Sequence, residues 1–161
     1  MKDPHFDRAV ILLIAYSSDD GAMGLILNRP LTVDQMDAQS PIASWMESSQ
    51  SPSTIFLGGP VEPNGYICMT PDSSALSGLR SVDIESISPV HIDGPHRVFR
   101  GYSGWGTGQL EDEVTFNSWY IVPSQSTDVL TTSPDTLWND VLQRQDGPLK
   151  KLGLYPLNPE V

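Results

Sequence analysis

The sequence has little cysteine and no long apolar run. Cys68 is the only cysteine among the 161 residues, which excludes an intrachain disulfide and a cluster of thiolate metal ligands. The longest apolar segment, residues 9–16, has the length of a strand and falls short of the roughly 18 residues that a membrane-spanning helix needs. A basic amino-terminal region with a cleavage site is also lacking. We therefore expect a cytoplasmic protein with no membrane partner.

Positive charge is scarce as well. Nine Lys and Arg residues stand against 20 Asp and Glu residues, which gives a formal net charge of −11. The basic residues are scattered and form no run that could act as a nucleic-acid arm. Because non-specific nucleic-acid binding needs cations that displace counterions, the composition disfavours a nucleic-acid partner and favours solubility.

The chain length fits one domain covering residues 1–161, with a core of its own. Apolar periodicity predicts strands at residues 9–16, 22–27, 54–57, 66–69, 97–102 and 119–122, and extended segments at 79–84 and 90–92. Turn and capping residues predict a helical turn at residues 32–37 and helices after Ser40-Pro41, at 109–116, after Ser133-Pro134 and at 149–152. Gly and Pro predict turns across residues 58–65. The irregular order favours an α+β fold with a mixed or antiparallel sheet and helices packed around it.

Glycine is concentrated in one segment, residues 101–113, where Gly101, Gly104, Gly106 and Gly108 fall within eight positions. Glycine loses more backbone entropy on folding than other residues, so such a segment usually serves positive φ or close backbone approach. We predict that it forms a turn between a strand and a short acidic helix. We also expect it to be the centre of the fold and of any binding site.

Familiar catalytic and nucleotide-binding motifs fail at this segment. A dinucleotide fingerprint would require glycine where Gln109 or Glu111 stands. A nucleophile elbow around Ser103 would require glycine in place of Trp105. Ser103 is therefore expected to be a turn serine. The carboxylates at residues 111–113 are expected to be a solvated helix start, with Glu111 placed to face a cleft.

His91, His96 and Cys68 could also take part in chemistry, but we expect each of them to have no chemical role. His91 and His96, with Asp93 between them, could ligate a metal, but nothing elsewhere completes a ligand set, so we expect solvated loop histidines. Cys68 lies in a predicted strand without an assignable histidine partner. It is expected to be a small buried apolar residue.

Five sequence blocks occur together and in order along most of the chain. They are residues 3–8 (Asp-Pro-His-Phe-Asp-Arg), 21–31, 56–61, 101–111 and 117–119. In these blocks the chain resembles the AlgH/YqgE family of bacterial proteins. The resemblance implies a compact α+β domain with a branched sheet folded into a pseudo-barrel. It also implies a cytoplasmic protein without a known cofactor. The family name carries a proposed role in transcriptional regulation of exopolysaccharide synthesis, which defines no chemistry.

One departure from the family pattern concerns the amino terminus. Family members usually carry an apolar segment before the Asp-Pro block, whereas this chain begins almost at Asp3. A missing first strand would leave a sheet edge open for pairing with another chain. We therefore expect a homodimer formed through that edge.

The matched blocks predict a pocket where strand ends and glycine turns converge. Its aromatic floor, its amide and carboxylate groups and an Arg suited to bidentate contacts would bind a small anion or a protein segment. The predicted site residues are Asn28, Arg29, Gly58, Gly59, Tyr102, Trp105, Gln109 and Glu111.

Three alternatives to this pocket remain open. The same residues could be purely structural, with Arg29 paired to an acid and Trp105 in the core. The protein could be a DNA-associated transcriptional regulator, against the charge balance. It could also be a hydrolase or transferase that uses Glu111 or Ser103, although no histidine partner can be assigned.

Overall fold

A branched sheet forms the framework of the protein. The computed structural model describes residues 6–32 and 41–154. Within them the sheet runs in the order β1-β2-β6-β4-β5, and β3 pairs with β6 off this path. The strands are β1 (Ile11–Ser17), β2 (Gly21–Ile26), β3 (Phe56–Leu57), β4 (Val61–Pro71), β5 (Leu79–Val82) and β6 (Arg97–Trp105).

The central strand β6 belongs to two halves of this sheet. Its last residues pair with β2, where Ala22 lies opposite Trp105. Its earlier residues pair antiparallel with β4 and parallel with β3. The sheet therefore curls into a half-barrel, which confirms the predicted branched α+β architecture.

Short helices flank the sheet. They are α1 (Ile42–Glu47), α2 (Gln109–Thr115), α3 (Leu137–Gln143) and α4 (Pro148–Leu152). Single 3₁₀ turns occupy Pro89–His91, Ser126–Asp128 and Pro134–Thr136. The face of α3 that packs against the sheet carries Leu137, Val141 and Leu142, which are buried. Since each helix is shorter than an independently stable one, packing against the sheet must stabilise them.

Two backbones touch where β6 changes partners. A Cβ on Gly101 would lie 2.3 Å from the carbonyl oxygen of Gly59, and a Cβ on Gly58 would lie 2.3 Å from the carbonyl oxygen of Gly101. Gly101 also has φ +68°, a conformation that residues with side chains rarely adopt. The Gly58 amide donates to the carbonyl of Arg100 at 2.8 Å. Glycine is thus required here for close approach.

A buried guanidinium links β6 to two surface loops. Arg97 has no exposed surface and lies 4.2 Å from the centroid of the Phe56 ring. Its two terminal nitrogens donate to the carbonyls of Gln50, Ser51, Val129 and Thr131. Burial lowers its pKa to about 10, so it remains charged at neutral pH. Charge-assisted bonds to carbonyl dipoles stabilise the cation without a carboxylate.

The structure corrects three predicted elements. Residues 62–65, predicted as a turn, lie inside β4, whose pairing with β6 shifts register between Val61 and Tyr66. The predicted extended segment 90–92 overlaps the 3₁₀ turn Pro89–His91. The predicted strand 119–122 is irregular. In each case local apolar pattern was insufficient, because strand assignment depends on a pairing partner elsewhere in the chain.

Two further predictions near the glycine segment and the loop histidines need correction. Most of the predicted glycine turn is strand, because β6 continues to Trp105 and only residues 106–108 turn. His96 is buried, not solvated. Its Nε2 lies 3.0 Å from the Trp45 carbonyl and 3.2 Å from the Ser48 hydroxyl.

Several predictions lie partly or wholly outside the described residues. These are the Asp-Pro-His part of the first block, the helical turn predicted at residues 32–37 beyond Thr32, and the Ser40 cap. Pro41 precedes α1 as its N-cap residue. The other strands and helices that the sequence predicts are confirmed within a few residues. The expected homodimer stays a prediction, with β1 at one end of the strand order.

Gly101→Ala and Gly108→Ala test the close approach as a matched pair, since both glycines have positive φ. At Gly108 nothing lies within 4 Å of an added Cβ, so only the left-handed backbone should cost about 1–2 kcal/mol. At Gly101 the collision with Gly59 should add roughly 1–3 kcal/mol of strain. Urea unfolding measures both losses. Equal losses in the two variants would contradict the backbone contact.

Candidate functional site

The carboxylate of Glu113 organises the corner between β6 and α2. Its Oε2 accepts hydrogen bonds from the indole nitrogens of Trp105 at 2.9 Å and Trp119 at 2.7 Å. Its Oε1 accepts from the Gln109 amide at 3.1 Å. The two indole rings pack edge to face with centroids 6.0 Å apart. Glu113 is half-buried, so the expectation of a fully solvated helix start was wrong at this residue.

Predicted site residues at this corner are engaged with one another or with neighbouring strands. Gln109 also accepts the backbone amide of Gly106 at 3.0 Å. Glu111 accepts the Tyr16 hydroxyl at 2.5 Å. That bond lowers the pKa of Glu111 and raises the pKa of Tyr16, since it stabilises the carboxylate and the protonated phenol.

The predicted glycines and Tyr102 belong to the strand crossing. The Gly58 carbonyl accepts the Ser103 hydroxyl at 3.1 Å, and a Cβ on Gly59 would lie 2.2 Å from the Tyr102 backbone. Tyr102 and Trp105 line a shallow surface depression together with Tyr16. Ser103 is buried, so it is placed to support the crossing.

Asn28 and Arg29 hold a different part of the molecule, the segment at residues 6–10. The Asn28 amide donates to the Arg8 carbonyl at 2.9 Å and accepts the Val10 amide at 3.0 Å. The Arg29 guanidinium donates to the Asp7 carbonyl. Burial lowers the pKa of Arg29, while the nearby Asp7 carboxylate acts in the opposite direction. Both residues therefore anchor the amino-terminal segment to the end of β2.

The predicted residues do not converge on one point. Trp105 lies opposite Ala22 near the start of β2, whereas Asn28 and Arg29 follow its other end. Six residue steps of extended chain span roughly 20 Å. The two groups nevertheless contact residues that line one cavity. Asn28 and Arg29 bind the segment at residues 6–10, and Trp105 packs on Trp119.

A cavity lies between those two fixed features. Its volume is about 430 Å³, within the usual range for small-molecule sites. Its walls come from the amino-terminal segment and β1, from residues 117–122, and from α3 and α4. The lining residues are Phe6, Asp7, Arg8, Ala9, Val10, Ile11, Leu13, Leu110, Asn117, Ser118, Trp119, Tyr120, Ile121, Val122, Trp138, Val141, Leu142 and Leu152.

Aromatic rings hold Trp119, one of the residues that line this cavity. Phe6 packs edge to face on Trp119 with ring centroids 5.5 Å apart, and Trp105 packs on it with centroids 6.0 Å apart. The indole nitrogen of Trp119 also donates to Glu113. Trp138 of α3 is half-buried and lines the cavity as well.

Arg8 is the one cation among the described residues that line this cavity. Arg8 adopts φ +53°, and its guanidinium carbon lies 4.8 Å from the centroid of the Trp138 ring. Its Nη1 is buried and has no hydrogen-bond partner within residues 6–32 and 41–154. The two ion pairs in that part of the chain, Arg80–Asp72 and Arg144–Asp128, do not include it.

The alternatives based on catalysis gain little from these positions. The Ser103 hydroxyl donates to a backbone carbonyl, and Glu111 accepts from Tyr16. Burial raises the pKa of the Cys68 thiol to about 12, in keeping with the expected buried apolar residue. Within residues 6–32 and 41–154, no three His, Cys, Asp or Glu residues are grouped to hold a metal.

Sequence reasoning missed the cavity although two matched blocks without glycine contribute to it. Arg8 ends the first block and Trp119 ends the last. The concentration of glycine in the other blocks led to a site prediction centred on those blocks. The available signal was the combination of a basic residue and a tryptophan in blocks without glycine. Sequence alone could not place them across a cavity, because more than 100 residues separate them.

Across the described part of the chain, no helix has both the length and the apolar character required to cross a bilayer.

Comparisons with known proteins agree on one family. The profile of a family described as AlgH-like matches residues 1–150. A UPF0301 protein of Streptomyces avermitilis is 35% identical, over 100% of this chain and 89% of its own length. A UPF0301 protein of Mycobacteroides abscessus is 34% identical, over 97% of this chain and 80% of its own length.

Solved structures confirm the fold. A crystal structure of a protein from Corynebacterium diphtheriae superposes with a TM-score of 0.77 at 24% identity, covering 96% of this chain and 86% of that one. The solution structure of the AlgH protein from Pseudomonas aeruginosa gives a TM-score of 0.68 at 23% identity, covering 98% and 89%.

Glu113→Gln should destabilise the β6–α2 corner, and Asp112→Asn is the matched control on the exposed neighbouring residue. A glutamine loses the charge and cannot accept from both indoles and from Gln109. Because hydrogen bonds to a charged group contribute about 1.5–3 kcal/mol each, we expect a loss of at least that order. The control should stay within about 0.5 kcal/mol. Urea unfolding and the indole N–H resonances of Trp105 and Trp119 report the change, and similar losses in both variants would refute it.

Proposed function

This chain belongs to the AlgH-like family, and we propose that it is a small-molecule-binding protein without a catalytic step. The names of its relatives assign no reaction. The proposal is therefore supported by the site alone. Its ligand would occupy the cavity between the amino-terminal segment, residues 117–122 and the last two helices.

The observation that carries the proposal is the cavity itself. It is backed by Trp119 and Trp138 and has the volume of a small organic ligand. Its tryptophan wall is held by Glu113, and its amino-terminal wall is held by Asn28. Walls that are already fixed reduce the ordering entropy that a ligand must overcome on binding. Of the predicted site residues, Asn28 binds the backbone of Arg8 and Trp105 packs on Trp119, so these two lie behind residues that line the cavity.

The other functional classes receive less support. A hydrolase or transferase would need an aligned nucleophile and base, whereas Ser103 and Glu111 make structural hydrogen bonds and neither lines the cavity. A DNA-associated regulator would need a basic face, against a net charge of −11. The expected protein partner stays a prediction.

Filling the cavity tests this proposal. Ser118 lines it and is half-buried, whereas Ser124 is exposed and does not line it. We expect decanol or decanoate to bind the unaltered protein saturably, as measured by titration calorimetry and by shifts of the Trp119 and Trp138 indole resonances. Ser118→Phe should weaken binding roughly tenfold or more, since overpacking costs about 1–3 kcal/mol.

Ser124→Phe is the control and should bind like the unaltered protein. Thermal unfolding of both variants shows whether the fold is retained. Absence of saturable binding by both probes, or equal binding by the two variants, would refute a ligand site in this cavity.

A further inference from the structure

We infer that the occupant of the cavity is an amphipathic organic anion, whose carboxylate or similar oxyanion binds Arg8 and whose apolar body contacts the tryptophans. This inference rests on the proposed function, because it names the class of ligand for the same cavity. It is carried by the placement of one cation inside a mostly apolar lining.

The guanidinium of Arg8 has an unused donor. Its Nη1 is buried, and no acceptor lies within hydrogen-bond distance in the described part of the chain. A buried donor on a charged group without a partner carries a large desolvation penalty. Arg97 differs in that both of its terminal nitrogens donate to carbonyls, although its Nε is also buried without a partner in the described part of the chain. An oxyanion in the cavity would pair with the charge of Arg8, which belongs to neither ion pair of the described residues.

The guanidinium of Arg8 packs on an aromatic wall of the cavity. Its central carbon lies 4.8 Å from the centroid of the Trp138 ring, and Trp138 also lines the cavity. A cation over an indole ring is attracted by the ring quadrupole, and this contact uses none of the N–H donors. The fork of a guanidinium matches the two oxygens of a carboxylate.

The backbone of Arg8 is held on both sides. Asn28 binds the Arg8 carbonyl at 2.9 Å and the Val10 amide at 3.0 Å. These bonds maintain the positive φ of +53°, which is unfavourable for a residue with a side chain. Strained backbone held by its surroundings is a feature of ligand sites. Asn28 acts here as a positioning residue.

A neighbouring carboxylate does not remove the positive charge. Asp7 also lines the cavity, but its side chain is exposed and acts on Arg29, as the effect on the pKa of Arg29 shows. Among the described residues, this segment therefore carries Arg8 and Asp7, with the guanidinium of Arg29 bound to its backbone.

The rest of the lining specifies the apolar part of the ligand. Val10, Leu110, Val122, Leu142 and Leu152 contribute aliphatic surface. A small inorganic anion would leave this surface unused, whereas a neutral hydrocarbon would leave Arg8 unpaired. Only a molecule with both parts satisfies the two kinds of wall.

Ligands that share one apolar chain and differ in their head group test the inference. Decanoate, decanol and decyltrimethylammonium share a ten-carbon chain and differ in charge, and inorganic phosphate supplies an anion without a chain. We expect decanoate to bind about tenfold more tightly than decanol, as the loss of a charge-assisted hydrogen bond implies. The cation and phosphate should bind more weakly than decanol. Decanoate should also shift the Nε–Hε resonance of Arg8.

Arginine variants test whether Arg8 causes the preference for decanoate over decanol. Arg8→Met should bring decanoate and decanol within about threefold of each other, since the charged donor is lost. Arg8→Lys keeps the charge and should keep part of the preference. Arg80→Met removes a partly exposed arginine outside the cavity and should leave the preference unchanged. Thermal unfolding accompanies each variant. If Arg8→Met does not fold, the Arg8→Lys protein and the Arg8 resonance of the unaltered protein decide.

Each outcome separates the two proposals. If decanol binds as tightly as decanoate and Ser118→Phe blocks both, the cavity binds ligands but the anionic head group is refuted. If decanoate binds without shifting the Arg8 resonance, or phosphate binds as tightly as decanoate, the inference is also refuted. If neither chain compound binds, the proposed function fails together with it.

Discussion

The contact between the backbones of Gly59 and Gly101 is the constraint on which the rest of the structure depends. Each would collide with the other's strand if it carried a Cβ. Because these two backbone segments touch there, β6 can leave β4 and continue alongside β2 in the other half of the sheet. The curl of the half-barrel follows from this exchange. Glycine therefore fixes the architecture and leaves ligand chemistry to other residues.

Two structural consequences of that crossing meet at the cavity. Beyond Trp105 the chain turns into α2, whose Glu113 binds Trp105 and Trp119 with one oxygen. At the other end of β2, Asn28 binds the segment that carries Arg8. Two walls of the cavity are thus held by residues that follow strands of the sheet.

Arg97 and Arg8 show that the surroundings of an arginine decide its role. Arg97 is fully buried, and its terminal nitrogens donate to four carbonyls of two loops. Arg8 is half-buried, stacks on Trp138 and keeps a buried nitrogen without a partner in the described part of the chain. In the described part of the chain each of the two keeps one buried nitrogen without a partner, Nε in Arg97 and Nη1 in Arg8. Their roles differ because Arg97 holds two loops in place, whereas Arg8 lines a cavity.

Sequence by itself determined the family, the α+β class, most strands and helices, and the buried apolar role of Cys68. It could do so because apolar periodicity and capping residues act over a few neighbouring positions. Tertiary structure alone decided that residues 119–122 form a cavity wall, that Glu113 is a shared acceptor, and that Arg8 faces an apolar space. These facts depend on contacts between segments far apart in the chain. Local pattern carries no information about which distant group will supply a partner, and so the site, unlike the elements, could not be predicted.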